Sequence, residues 1–300
     1  MSSPSLALVG LVASLATLSC TGPVSLGSFG DTEGAVSSDG GVLPECNASG
    51  EPAPANAPGP SIGATVTYTD WFWPTAFESI EWDQRIESDI PNDGYLWMHR
   101  IPFAAGPLAL AGLQANGGYQ ADPPSGPVEI AKMAVFWVAR PSIRAELGDV
   151  AYPDARTAIA LEVGIEWWTI NVRYDWQACR TYRFRVGLES IDPSGDVWYG
   201  AWIRDTQTGA QTFLGRVLVP AAWGKLSSPS SVWSNRIGWA PLSSCNMMEP
   251  SAVLFGAPTA NPGGLAPSSR ENRFAAPFGC PSSRFTDFPE AVRHELGIAP

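Results

Sequence analysis

Residues 181–219 read TYRFRVGLESIDPSGDVWYGAWIRDTQTGAQTFLGRVLV. Tyr182, Phe184, Val186 and Leu188 fall on every second position, with Arg183 and Arg185 between them. Val197, Tyr199, Ala201 and Ile203 form a second such set. Phe213, Gly215, Val217 and Val219 form a third. A side-chain period of two puts each set on one face of a strand. The joins, Asp192-Pro-Ser-Gly-Asp196 and Thr206-Gln-Thr-Gly-Ala210, are short and contain glycine, as hairpin loops do. The stretch predicts a three-stranded antiparallel meander.

The same rhythm continues on either side. Trp168, Ile170, Val172, Tyr174 and Trp176 alternate just upstream. Earlier strand candidates are 66–72, 95–103, 108–115, 128–139 and 158–163; later ones are 232–239 and 252–255. That makes about ten to twelve strands without parallel βαβ alternation, so an all-β, two-sheet antiparallel sandwich is expected. Thirty glycines and 28 prolines argue against a mostly helical chain. One short helix is expected near the C-terminus, with Asp287 as its cap, Pro289 in its first turn and Gly297 at its stop.

Of 300 residues, 45% are hydrophobic and 16% charged, which is enough apolar material for a core. The net charge of −11 repels phosphate backbones, and nucleic acid is not expected as a partner.

The N-terminus reads as an export signal. Leu6–Leu18 is an apolar run that suits a signal-peptide core and is too short for a membrane span of about 20 residues. It runs into Thr17-Leu-Ser-Cys20, which resembles a bacterial lipoprotein cleavage box with Cys20 as the lipidated residue. Thr17 stands where leucine is usual, and the charged leading region is missing. Plain secretion with cleavage nearby is the alternative. Residues 1–20 are thus expected as a signal peptide of lipoprotein type, 21–60 as a flexible Gly/Ser/Pro linker, and 61–300 as one sandwich domain. The expected location is extracytoplasmic, in a bacterial cell envelope, lipid-anchored or secreted. The membrane is met only through the N-terminal lipid.

With Cys20 set aside, four cysteines remain, and an oxidising compartment pairs them as two disulfides. The preferred pairing is Cys179–Cys245 with Cys46–Cys280. The alternative leaves Cys46 free in the linker.

The run Tyr174-Asp-Trp176, then Thr181-Tyr-Arg-Phe184-Arg-Val186, resembles the W-x-x-G-x-x-Y-x-F hairpin of a secreted family, domain of unknown function 3472. The segments Val197–Asp205, Leu214-Gly-Arg216, Ala111-Gly-Leu-Gln114 and Val135-Phe-Trp137 are similar to further motifs of that family, over roughly 95–260. Ala178-Cys179 replaces its usual turn glycine. The resemblance implies a sandwich of jelly-roll or concanavalin-like type and supplies no catalytic residues.

The search for chemistry is mostly negative. There is no G-x-S-x-G, H-E-x-x-H or P-loop, and only two histidines, His99 and His294. His294 is expected on the surface of the C-terminal helix, and His99 at a sheet surface. Glu81-x-Asp83 followed by Glu87 faintly resembles the E-x-D-x-x-E strand of one sandwich glycosidase family, with the last acid one position late and so expected on the other face. No metal site is expected; Asp89, Asn92 and Asp93 offer calcium-type oxygens without a recognised spacing, and a solvated turn is the plainer reading.

Thirteen tryptophans are the informative surplus. Trp198 and Trp202 share the face opposite Val197, Tyr199, Ala201 and Ile203. Two outward indoles there, with Arg183 and Arg185, form an expected sugar-binding platform. Trp71, Trp73, Trp137 and Trp167 are further candidates without a settled direction. The expected function is binding of a polysaccharide or other extracellular ligand through an aromatic face, without catalysis. The alternatives are a concanavalin-like glycoside hydrolase or polysaccharide lyase, and a non-catalytic envelope protein.

Overall fold

A computed structural model describes residues 44–46, 66–90, 94–119, 129–139, 144–151, 154–162, 165–236, 248–274 and 283–297. Its strands are β1 (Val66–Phe72), β2 (Ser79–Ile86), β3 (Tyr95–Pro102), β4 (Leu108–Tyr119), β5 (Glu129–Ala139), β6 (Arg144–Leu147), β7 (Ala155–Glu162), β8 (Ile165–Arg173) and β9 (Thr181–Ile191). There follow β10 (Val197–Asp205), β11 (Gln211–Val219), β12 (Ser230–Arg236), β13 (Ser251–Gly256), β14 (Thr259–Ala260), β15 (Ser269–Phe274), β16 (Arg284–Phe288) and β17 (Ala291–Leu296). One sheet has the order β15-β1-β12-β3-β4-β5-β8-β7; the other runs β16-β17-β13-β2-β9-β10-β11-β6, with β14 beside β2. Every pairing is antiparallel. The chain is a two-sheet sandwich, and 181–219 is the expected meander β9–β10–β11.

Several expectations need correction. The C-terminal helix is absent: Arg284–Phe288 and Ala291–Leu296 pair as a hairpin. Val292, His294 and Leu296 are all buried, so a period of two outweighs the capping signals there. Phe213 leaves the face of Val217, because a bulge sets Ala201 opposite Gly215 and Trp202 opposite Phe213. Leu214 enters the core instead. Gly215 takes φ 143°, and a Cβ there would lie 2.4 Å from the carbonyl oxygen of Glu146. Finally, Cys46 bonds to Cys179 across 133 residues, so neither Cys179–Cys245 nor Cys46–Cys280 forms, and Cys46 is not free. Cys179 adopts φ 65°, filling the left-handed turn position that a glycine commonly takes. Cys20, Cys245, Cys280, the signal segment and most of the linker lie outside the described residues.

The inner faces meet in an aromatic layer. Trp82 lies parallel to Phe184 at 5.3 Å and meets the edge of His99 at 4.6 Å. Trp97 stacks on Tyr95 at 5.7 Å and stands perpendicular to Trp176 at 5.4 Å. Such pairs add about 0.5–1.5 kcal/mol each beyond the area they bury. Hydrogen bonds tie the sheets together through this layer. Gln84 on β2 donates to the carbonyl of Trp97 on β3 at 3.1 Å, and the Trp97 indole donates to Ser251 on β13 at 3.1 Å.

Both histidines belong to this interior rather than to a surface, and both are fully buried. His99 contacts the Ser230 hydroxyl through Nε2 at 2.9 Å. His294 reaches from β17 to two β1 threonines, Nδ1 to Thr67 at 3.1 Å and Nε2 to Thr69 at 2.8 Å. Thr69 spends its proton on Asn272 Oδ1, so Nε2 of His294 carries the ring proton and Thr67 donates to Nδ1.

The N-terminal side of the domain is strapped to the nine-stranded sheet. Arg85 donates to the Pro44 carbonyl and Arg293 to that of Glu45, and Cys46 is held by its disulfide. Beneath this strap Glu87 is fully buried between Arg85 and Arg293. Glu87 therefore lies on the same outer face as Glu81 and Asp83, not on the opposite one, since 81, 83, 85 and 87 share one parity.

Burial pushes both histidines down to about 3. The unfolded chain takes up their protons near pH 6.5, and the folded chain does not until about pH 3. Their stabilising contribution is thus complete above pH 6.5 and declines as pH falls from there toward 3. Each histidine should remove roughly 1.4 kcal/mol per pH unit in that window. Thermal unfolding followed from pH 7.5 to 4.5 should show the decline, and His99→Phe should make it shallower by one histidine's share. An unchanged slope in that variant would reject the assignment.

Candidate functional site on the eight-stranded sheet

The two sheets differ in what they turn outward. The nine-stranded sheet presents ion pairs. Arg183 grips Asp83 with both arms at 2.8 and 2.9 Å, and Arg185 faces Glu81 at 3.9 Å. Arg216 bonds Glu146 and Glu189. The hydrogen bonds that Arg183 donates to Asp83 raise its guanidinium above its ordinary value.

Trp198 and Trp202 stand on this outer face, with Tyr199, Ala201 and Ile203 in the core. Their flat surfaces are in use. Arg144 and Arg216 lie over the Trp198 ring at 4.7 and 4.5 Å, and that side chain is only 3% exposed. Trp202 stacks on Phe213 at 5.0 Å and has Arg185 over it at 5.2 Å. The four residues expected as a platform thus share one sheet face, but as a charge-and-ring ladder.

The outer face of the eight-stranded sheet is apolar. β3 reads YLWMHRIP, and six of its first seven side chains are buried, all but Arg100. Tyr95, Trp97, His99 and Ile101 point into the sandwich. Leu96 and Met98 point away from it, into a second cluster with Leu110, Met133 and Val135. Trp137, Trp167 and Trp233, each half-buried, pack on that cluster. Strand register orders this face. One row across the sheet holds Tyr68, Trp233, Met98, Gly112, Val135 and Asn171. The next holds Asp70, Ser231, Arg100, Leu110, Trp137 and Thr169.

Rings flank the centre on both sides. Tyr68 and Trp233 stack at 6.1 Å, and Trp137 meets Trp167 at 6.4 Å and 63°. Three strand spacings separate Trp233 from Trp137, about 14 Å across the sheet. Between them Gly112 lets β4 approach β3, since a Cβ there would fall 2.0 Å from the Trp97 carbonyl oxygen.

Polar groups edge this floor. Asp70 accepts from Ser231 and from both arms of Arg273, which also lies over the Tyr68 ring at 4.1 Å. Burial raises the Tyr68 hydroxyl above its ordinary value, with Arg273 and Arg100 opposing. Trp137 donates to Asn171 Oδ1 at 2.9 Å. On this side of the sheet Trp233 Nε1, Gln114 Oε1 and Asn235 Oδ1 are shielded from solvent and have no hydrogen-bond partner among the described residues. Arg100 has no ion-pair partner among the described residues. No group of three or more metal-ligating side chains occurs among them either. Asp89 faces Lys132 at 3.5 Å, and Asn92 and Asp93 lie outside the described residues.

The sequence had left Trp137 and Trp167 without a direction and gave no role to Trp233, Tyr68, Arg100 or Gln114. The signal available was β3 itself, whose Tyr95-Leu-Trp-Met98 run does not alternate with polar residues and marks a strand buried on both faces. Trp71 and Trp73 face the core.

No family model matches the chain. No curated protein matches it either. Among solved structures it is similar to scytalido-glutamic peptidase with a transition state analog inhibitor, at 9% identity and TM-score 0.40, covering 80% of this chain and 98% of that one. It is also similar to the marine PL-14 alginate lyase from Aplysia kurodai, at 10% identity and TM-score 0.22, covering 59% and 69%. Likenesses this loose say nothing about the chemistry of either face.

Gly112 is the point where floor and fold meet. Gly112→Ala should destabilise the protein by about 1–3 kcal/mol, because backbone rather than a movable side chain blocks the new methyl. Chemical denaturation measures this; a wild-type midpoint would show that β3 and β4 separate more easily than their register implies.

Proposed function

We propose that the protein is an exported, surface-tethered sandwich that binds a glycan on the outer face of its eight-stranded sheet. Membership of the secreted family that 174–186 resembles is part of this proposal. The carrying observation is the two half-buried ring pairs, Tyr68 with Trp233 and Trp137 with Trp167, on either side of an apolar outer face. A sheet face turned away from the core ordinarily alternates to polar side chains. Leu96, Met98 and Val135 are themselves at most 3% exposed, so what a ligand reaches is the half-buried rings at the margin of the cluster.

A sugar chain suits the chemistry. Its rings have apolar faces for Trp137 and Trp233, and its hydroxyls both donate and accept.

Binding without hydrolysis is the favoured form. Glycoside hydrolysis ordinarily needs two carboxyl groups about 5–9 Å apart across the scissile bond. Asp70, the carboxylate on the two central rows, is already committed to Ser231 and Arg273.

Glycan-array binding of the full chain tests the proposal. Trp137→Ala and Trp233→Ala should each weaken binding about tenfold or more, as buried aromatic anchors do. Trp202→Ala should leave it unchanged. Loss of binding only in the Trp202 variant would move the site to the nine-stranded sheet, and no binding to any glycan would reject the proposal.

A further inference from the structure

Independently of what the eight-stranded sheet binds, we infer that two copies of the chain pair through its edge strand β7, antiparallel about Ile159. Among the described residues the edge strands are β15 and β7 in one sheet and β16 and β6 in the other. An edge offers backbone N–H and C=O groups to any strand that can lie beside it, and proteins ordinarily blunt it with charge, proline or a short length. Three of these edges are blunted. β6 has four residues and carries Arg144 and Glu146. β15 carries Arg270, Glu271 and Arg273, and β16 carries Arg284 and Asp287. Arg270 and Asn272 also tie β15 to the β16–β17 hairpin. β7 is the exception. It reads ARTAIALE, and from Thr157 to Leu161 it has no charge and no proline. Ile159, at the middle of that run, is 61% exposed.

The order of residues along β7 says what lies beside it. A two-fold axis normal to the sheet at Ile159 sets each Ile159 against the other, Ala158 against Ala160 and Thr157 against Leu161. It also sets Arg156 against Glu162 of the second copy, and symmetry makes that pair twice. Neighbouring registers lose this match. An axis at Ala158 sets Asp154 against Glu162, like against like, and an axis at Ala160 carries Arg156 past the end of the second copy's β7. Cross-strand pairs of opposite charge and of apolar side chains are the ones that stabilise a sheet. Pairing about Ile159 keeps each residue on its own sheet face. Ile159 shares the phase of its neighbour Trp168, which packs on the core, so the second copy covers the open margin of that face. The two eight-stranded sheets become one, with their outer faces on the same side.

Eight residues a side fall short of the roughly 20–30 in a standard interface. The association is therefore reversible and depends on concentration. The net charge of −11 sets copies against each other at low salt. At physiological ionic strength that field is screened beyond about 8 Å, and the contacts along the seam decide.

Sedimentation of the full chain at physiological ionic strength, from about micromolar to millimolar concentration, should show a monomer–dimer equilibrium. Ile159→Lys should weaken it about tenfold or more, because it sets like charges against each other at the axis. Arg156→Glu and Glu162→Arg should each weaken it alone, and mixing the two variants should restore pairing, since each copy then meets its opposite. The register has its own test. Ile159→Cys should oxidise to a covalent dimer beyond the wild-type level, whereas Thr157→Cys should not, its counterpart lying four residues along, about 13 Å away. Unfolding midpoints near wild type show that the variants are folded. A monomer at every concentration, a dimer that Ile159→Lys leaves intact, no recovery on mixing, or equal cross-linking through Thr157→Cys would each overturn the pairing.

Discussion

The aromatic layer between the sheets constrains everything outside it. Trp82, Phe184, Trp97, Tyr95 and Trp176 interlock in one layer, and Gln84, Trp97 and His294 bridge it with hydrogen bonds. Once those side chains point inward, the pleat dictates which ones point outward. On β2 and β9 the outward residues are Glu81, Asp83, Arg183 and Arg185, and they neutralise one another. On β3, β4 and β5 they are Leu96, Met98, Leu110, Met133, Val135 and Trp137, which cannot. The two outer faces differ because the strands differ in whether their second register is polar.

The sequence was legible where the two registers differ in polarity. The strand Val66–Phe72 is bounded as expected, and the 181–219 meander follows from clean alternation. It was misleading where a local signal competed with a tertiary one. Asp287, Pro289 and Gly297 are sound helix punctuation, yet Val292, His294 and Leu296 bury one face of a strand against Phe255 and β1. Local capping is worth about 1 kcal/mol, and burying three such side chains is worth several. Phe213 was misplaced because a bulge is a property of the pair of strands, and one strand's sequence does not reveal it. The disulfide was misassigned because pairing depends on the path of 44–46, which composition alone marks only as linker.

The candidate site was less legible than the fold. A surplus of tryptophan suggests a sugar platform, but the indoles serve three ends here. Trp82, Trp97 and Trp176 fill the core. Trp198 and Trp202 are plates in a ladder with Arg144, Arg216, Arg185 and Phe213, where the ring faces are already covered. Trp137, Trp167 and Trp233 pack on apolar side chains outside the sheet. Counting aromatic residues does not separate these classes. Their cross-strand neighbours do: arginines beside Trp198 and Trp202, against methionine and leucine beside Trp233 and Trp137.

The placement of the N-terminal strap bears on how such a face would be used. Pro44, Glu45 and Cys46 are fastened over Arg85, Glu87 and Arg293, outside the nine-stranded sheet. The apolar face lies outside the other sheet, with the whole thickness of the sandwich between. In the proposed arrangement the tether enters at Cys46, and pull along it passes through the disulfide into Cys179, in the turn before β9. The domain is then held by the side that carries charge, and the side that carries the rings is turned toward the surroundings. An attachment on the eight-stranded face would have set the anchor and the ligand in competition for one surface; attachment across the sandwich keeps them apart.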